Sequence, residues 1–283
     1  MADKVSVPQW IDAVVESHRR PGLRSPLGEP LPAFPPAELQ RTTTGLEGEA
    51  TIRQAGAFYA DVIEALERDG QHVGTGWRVL DFGCGWGRVA RFFLRDVPLA
   101  NLHGIDVDTA FIELTRRTFA SDKFAVCQPF PPASFPPHTF DLIAAYSVFS
   151  HLSESVALQW VGEFARLLRP GGVFAFTTRH ESFLDYCAWL GQQKSTDSYS
   201  AALGALFPDV EAVRARYRRG ELIHATSPGV SGGGPRNTSF YGETFIPRAY
   251  VERTYGRWFA LAATSFDPGR YDQACFVLKR NGG

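Results

Sequence analysis

The chain of 283 residues has almost no net charge, its 29 basic side chains being matched by 30 acidic ones. No bulk field therefore draws it to nucleic acid or to an anionic membrane surface, and neither is expected as a partner. No apolar run approaches the ~18 residues of a membrane helix, and Met1 to Ile11 holds no secretory hydrophobic stretch. Four cysteines, Cys84, Cys127, Cys187 and Cys275, are scattered without a C-x-x-C pair. That excludes a disulfide framework and fits reduced thiols in a cytoplasmic protein. No group of metal-ligand spacing occurs, so no metal is expected. The short basic run Arg214, Arg216, Arg218, Arg219 lies in a helical pattern and reads as a solvated face.

Glycine, by contrast, is concentrated where it can do chemistry. Residues 79–87 read Val-Leu-Asp-Phe-Gly-Cys-Gly-Trp-Gly, a buried strand entering a turn with Gly83, Gly85 and Gly87 at alternate positions. A backbone without Cβ turns sharply and lets a ligand come close. A helical pattern follows from Arg88, so the turn joins strand to helix, where open α/β sheets bind ligands. The spacing departs from the dinucleotide fingerprint G-x-G-x-x-G, since the third glycine comes one residue early and Arg88 takes its place. Asp81 sits two residues before the first glycine, and its carboxylate suits a ligand ammonium or sulfonium better than a pyrophosphate.

Val79–Gly87 resembles the first motif of the class I S-adenosylmethionine-dependent methyltransferases. Leu102-His103-Gly104-Ile105-Asp106-Val107-Asp108 resembles the family's second strand, whose terminal acid holds the ribose. Phe140-Asp141-Leu142-Ile143-Ala144-Ala145 resembles the fourth strand, and Leu168-Arg169-Pro170-Gly171-Gly172 the turn before the fifth. These landmarks cover residues 75–180. The resemblance implies S-adenosylmethionine as methyl donor and S-adenosylhomocysteine as product. Asp106 lies 19 residues beyond Gly87, close to the ~20-residue offset at which such an acid meets ribose hydroxyls. A solvated loop acid or a helix N-cap is the competing reading, and Asp108 is better placed for the cap.

Strands at 78–82, 102–106, 123–127, 140–146 and 173–178 alternate with helices at 87–95, 109–119 and 153–168. A helix over 49–68 precedes them, and a helix at 247–256 leads to a hairpin of strands at 258–266 and 272–279. Such alternation predicts a Rossmann-like, doubly wound α/β sheet of seven strands, mostly parallel with an antiparallel last strand. Residues 1–48 read as an arm laid over the core, and residues 21–48, which hold six prolines, as extended chain without helical periodicity. Residues 49–180 read as the donor-binding core, 181–243 as a helical cap selecting the substrate, and 244–283 as completion of the core.

The donor site is expected from Asp81, Gly83, Gly85, Gly87, Asp106, Val107, Gln128, Pro129, Phe130, Tyr146 and Ser147. Gln128 stands where the family often carries an acid for adenine. Trp86 and Phe130 suit the adenine or sulfonium, or plain packing. Arg53 and Tyr59 suit the ligand less well than the core. Cys84 reads as a small residue in a tight turn, since attack on a sulfonium carbon needs no thiol. A hydroxyl acceptor must lose a proton, and His151, just beyond the fourth strand, is the first candidate base or substrate contact. A loop histidine bonded to backbone is the alternative. Arg179 and His180 join it as catalytic candidates, His224 and Tyr241 are expected substrate contacts from the cap, and Glu243 is a further polar candidate there. The expected function is methyl transfer to a small molecule, at oxygen before nitrogen or carbon, with a secondary metabolite or sugar as acceptor. A donor-binding protein without transfer, or a nicotinamide dehydrogenase, are the alternatives. The oligomeric state is open.

Overall fold

The structure, a computed structural model, describes residues 5–193 and 195–282. Strand β1 (Val79–Phe82) is buried along its whole length, as a strand covered on both faces must be. Val79 packs towards α1 (Val7–Arg19) and α3 (Gly48–Arg68), whereas Leu80 packs towards α6 (Glu154–Leu167). Beside β1 run β2 (Leu102–Asp106) and β3 (Phe124–Val126) on one side, β4 (Phe140–Ala145) and β5 (Leu168–Arg179) on the other, all parallel. Strand β9 (Gln273–Arg280) adds antiparallel to β5, and β8 (Phe259–Ser265) pairs antiparallel with β9. The chain leaves β1 towards β2 in one direction and reaches β4 in the other. That reversal opens a crevice at the carboxyl ends of β1 and β4.

The seven-stranded expectation needs two additions. Strands β6 (Ile223–Ala225) and β7 (Glu243–Phe245) pair with each other, and β7 joins the end of β5 through Arg179 and Phe245, making nine strands in one sheet among the described residues. Three-residue strands carry too little alternation to be seen in a sequence. The expected arm also needs correction. It folds into α1, capped by a reciprocal Ser6–Gln9 pair, and α2 (Ala37–Thr44), closed by the left-handed Gly45. Gln40 ties α2 down by donating to the Pro35 carbonyl and accepting from the Gly48 N–H. Local capping offsets a proline count that suggested extended chain.

The helix expected over 87–95 shrinks to α4 (Ala90–Phe93). Gly87 is left-handed (φ 75°), so the first turn cannot be α-helical, and the Ala90 N–H is taken by the Asp81 side chain instead. Helix α5 (Thr109–Phe119) begins at the Asp108 cap, whose carboxylate accepts from the Ala110 N–H. Residues 181–243 contain α7 (Phe183–Gln192), α8 (Ser198–Ala205) and α9 (Val210–Arg218). They gather their own apolar cluster around Leu184, Leu190, Leu203 and Phe207, anchored to the sheet by Phe245. The helix expected at 247–256 is a short α10 (Arg248–Tyr250) running into a wider π-type turn, Val251–Tyr255. No helix of the described residues is long and apolar enough to cross a membrane.

Candidate functional site

A cleft of about 860 Å³ opens over the crevice between β1 and β4. That is near the upper end of small-molecule sites, as a place shared by two reactants requires. The glycine turn forms its floor. A Cβ added to Gly85 would meet nothing within 4 Å, so this backbone faces open cleft rather than protein. Its φ of 50° is a conformation few other residues adopt. Gly87 does a different job, because a Cβ there would collide with the Phe119 ring of α5. One glycine admits a ligand; the other lets helix and strand close together.

Asp106 ends β2 beside that floor. Its Oδ2 accepts from the Gly85 N–H at 2.8 Å and its Oδ1 from the Asp108 N–H at 2.9 Å. Each oxygen keeps a lone pair for a further donor. Burial pushes the Asp106 carboxyl up from its ordinary value, while those two N–H groups and Arg236 pull it back. Asp81 is deeper, and burial followed by the nearby Asp106 charge pushes its pKa up to about 7. Arg88 reaches back to α3, donating to Thr51 and Gln54, and lies 4.8 Å over the Tyr146 ring. The buried Tyr146 hydroxyl has no hydrogen-bond partner among the described residues. Trp86 is pinned from above by its indole N–H on Thr43 of α2 at 3.2 Å, so the arm roofs this end. Opposite, Arg236 reaches Asp108 at 3.3 Å and ties the loop that carries Gly232, Gly233 and Gly234 to the rim.

Beyond β4 the chain makes a strained step. Ser147 is left-handed (φ 58°), which costs a non-glycine residue about 1–3 kcal/mol. Three hydrogen bonds hold it there: Ser147 N–H to Thr177, the Gln273 amide to Ser147 Oγ, and the Thr177 hydroxyl to Gln273. The strain turns the next residues against the strip 240–244, where the Thr244 N–H donates to Ser150 and the Gly242 N–H to His151.

His151 is fixed by that strip. Its Nδ1 lies 2.7 Å from the Gly242 carbonyl, so Nδ1 carries the proton and Nε2 is left with its lone pair. The ring stacks on Tyr241 at 4.7 Å and 6°. Behind it lies Glu243, fully buried, with Oε1 3.6 Å from His151 Nδ1 and 3.1 Å from the Tyr199 hydroxyl. Arg179 Nε donates to Glu243 at 2.7 Å, and its Nη1 donates to Asp272 at 2.8 Å. Burial opposes the Glu243 charge, yet Arg179 and His151 hold its pKa below the ordinary range. Burial likewise lowers the His151 pKa, with Glu243 resisting, so the imidazole is neutral at pH 7. A neutral imidazole backed by a carboxylate is a group able to take a proton.

Residues 80–174 match the family model described as "Methyltransferase domain". By that match, which spans about a third of the chain, this stretch is a methyltransferase domain. It is 29% identical over 120 residues to the malonyl-[acyl-carrier protein] O-methyltransferase of Paenibacillus sp. (strain JDR-2), covering 40% of this chain and 42% of that protein. It is 28% identical over 123 residues to the ubiquinone biosynthesis O-methyltransferase of Neisseria meningitidis, covering 42% and 50%. The chain thus spans two fifths to half the length of these curated relatives. A solved S-adenosylmethionine-dependent methyltransferase from Clostridium acetobutylicum superposes with a TM-score of 0.52 at 13% identity, over 81% of this chain and 92% of that one. At that identity the likeness concerns the fold.

Asp81, Gly83, Gly85, Asp106, Val107, Gln128, Pro129, Tyr146, Ser147 and His151, from the matched stretch, line one cleft with Arg179 and Tyr241, which lie beyond it. Other expected residues stand outside that lining. Gly87 packs on α5, and Phe130 is exposed with its ring against Phe240. His180 bonds Ser182 and stacks on Phe266 at 3.6 Å, turned away from Arg179's partners. His224 bonds Thr244 on the far side of the β6–β7 pair. Arg53 pairs with Glu49 and Asp12 at the surface, and Tyr59 is buried against Asp96. The cleft also uses residues that spacing did not announce: Thr43 and Gln54 from the arm side, Asp272 and Gln273 from the last strand, and Tyr199 from α8. Cys84 lines the floor, and burial pushes its thiol pKa well up, as befits a filler.

The Asp81 carboxyl, near pH 7 when the cleft is open, has a measurable consequence. A positively charged ligand beside it favours the ionised form, so binding S-adenosylmethionine at pH 7 should release roughly half a proton. Titration calorimetry in two buffers of different ionisation heat reads this directly. Equal heats in both buffers would remove Asp81 from the contact, and Asp81→Asn should abolish the difference.

Proposed function

We propose that this chain transfers the methyl group of S-adenosylmethionine to a hydroxyl oxygen of a small-molecule acceptor. The observation that carries this reading is His151: its Nδ1 is committed to the Gly242 carbonyl, and its Nε2 is left to the cleft that Asp106 and Gly85 floor. Two curated relatives that are O-methyltransferases, acting in different chemistry, agree on oxygen. The residues present fit the donor. Gly85 offers open backbone that a side chain would fill, Asp106 has acceptors to spare for ribose hydroxyls, and Tyr146 has an unpartnered hydroxyl at the same wall. Gln128 and Pro129 would meet the adenine edge, and Asp81 the cationic end.

The donor, when bound, supplies a methyl carbon already activated by a sulfonium. The chain's own residues then orient the acceptor, exclude water and move one proton. His151 Nε2 accepts the hydroxyl proton as the oxygen becomes nucleophilic. Glu243 steadies the imidazolium so formed, and Arg179 keeps Glu243 ionised and aimed. The roof formed by α2 on Trp86 and the Arg236–Asp108 tie keep water from the reacting atoms.

The pH profile follows from the direction of the His151 shift. Transfer needs the neutral ring, whose pKa lies below the ordinary 6.5, so kcat/KM for the acceptor, measured with the donor saturating and Asp81 thus already ionised, should be flat through pH 7 and fall only in more acid solution. His151→Gln should erase that acid limb together with most of the rate. The overall reading is tested with methyl-labelled donor and a metabolite extract. Label in a methyl ether supports it; donor bound tightly with no label transferred overturns it.

A further inference from the structure

Helix α7 carries an aromatic stripe that the packing of the chain leaves uncovered. Phe183, Tyr186 and Trp189 recur at every third residue, so they share one face. Phe183 is buried at the cleft, with the Arg179 guanidinium 3.9 Å over its ring. Tyr186 follows at 5.6 Å and is 46% exposed, and Trp189 stacks on Tyr186 at 5.8 Å and is 52% exposed. Tyr199 of α8, 42% exposed, lines the cleft beside them while its hydroxyl is given to Glu243. Large aromatic faces are rarely left in water in such a contiguous run. This one is continuous with the cleft that holds His151.

The charge at the acceptor end narrows what lies there. Arg179 stands between two carboxylates, Glu243 and Asp272, and His151 is neutral, so the guanidinium beside His151 is already paired within the protein. An anionic acceptor would have to compete with those carboxylates for it. On the side of the cleft formed by Phe183, Leu203 and Val230, a sugar's hydroxyls would meet apolar side chains.

Resting on the methyl-transfer reading above, we propose that the acceptor is a neutral hydroxylated aromatic compound. Its hydroxyl lies at His151 and its planar body runs out along the Phe183–Tyr186–Trp189 stripe. Flat rings stack on exposed Tyr and Trp faces without requiring hydrogen bonds. The hydroxyl, uncharged until His151 takes its proton, meets no repulsion on entry.

The test uses the full chain saturated with S-adenosylhomocysteine and three probes titrated by calorimetry: 4-hydroxybiphenyl, biphenyl-4-carboxylate and methyl maltoside. We expect 4-hydroxybiphenyl to bind at least tenfold more tightly than either of the others. Tyr186→Ala and Trp189→Ala should each weaken it about three- to tenfold, with S-adenosylhomocysteine affinity unchanged. The proposal is overturned if the carboxylate or the sugar binds as well as the phenol, or if none binds up to its solubility. It also falls if neither substitution matters, or if light scattering shows a dimer that either substitution dissociates, since the stripe would then be an interface. Failure of the donor reading is separately visible, because S-adenosylhomocysteine itself would give no heat.

Discussion

Replacing His151 by alanine is expected to lower the rate of methyl transfer by about 10²–10⁴-fold, the range lost when a positioned general base is removed. The ring touches the cleft through Nε2 and is held on its other side by Gly242 and Glu243. Its loss should therefore leave S-adenosylhomocysteine affinity within about twofold, and the damage should fall on kcat. Full activity in His151→Ala would reduce the residue to a loop histidine bonded to backbone. Glu243 cannot serve as the cleaner probe. It is buried and paired with Arg179, and breaking such a pair costs about 3–5 kcal/mol of stability in its own right.

Asp106→Ala is expected to raise the dissociation constant of S-adenosylhomocysteine by about 100-fold. A carboxylate gripping two ribose hydroxyls makes two charge-assisted bonds, each of about 1.5–3 kcal/mol. The same substitution frees the Gly85 and Asp108 N–H groups; both residues are only half-buried, and Gly85 lines the open cleft, so water can take the freed donors. The melting temperature should accordingly change far less than the affinity. Equal affinity for both proteins, measured by calorimetry, would separate Asp106 from the donor.

The half of the molecule built from local pattern could be read before folding. The strands ending at Phe82, Asp106 and Ala145 have buried runs and glycine turns whose geometry is set within a few residues. Asp106, Gly85 and His151 belong to those turns, so their arrival in one cleft follows from the sheet's reversal between β1 and β4. What escaped notice depends on contacts across the chain. Glu243 was among the candidates, but its place beside His151 comes only from residues 240–244 pairing with 150–152, some 90 positions earlier. Asp272 and Gln273 reach the site only because β9 runs antiparallel to β5. Helix α2 looked like extended arm because prolines precede it, whereas the residues that hold it, Gln40 by its side-chain bonds and Gly45 as its C-cap, act through neighbours the pattern does not weigh. His180 failed in the opposite sense. It follows Arg179 in sequence, but successive residues at a strand end point to opposite sides, and its ring went to Phe266.

The most direct measurement is a crystal structure of the protein grown with S-adenosylhomocysteine. The account requires the nucleoside to lie over Gly85 with both ribose hydroxyls on the Asp106 carboxylate and the sulfur on the side of His151. A nucleoside seated elsewhere, or an Asp106 side chain making no contact with it, would contradict the account at its root.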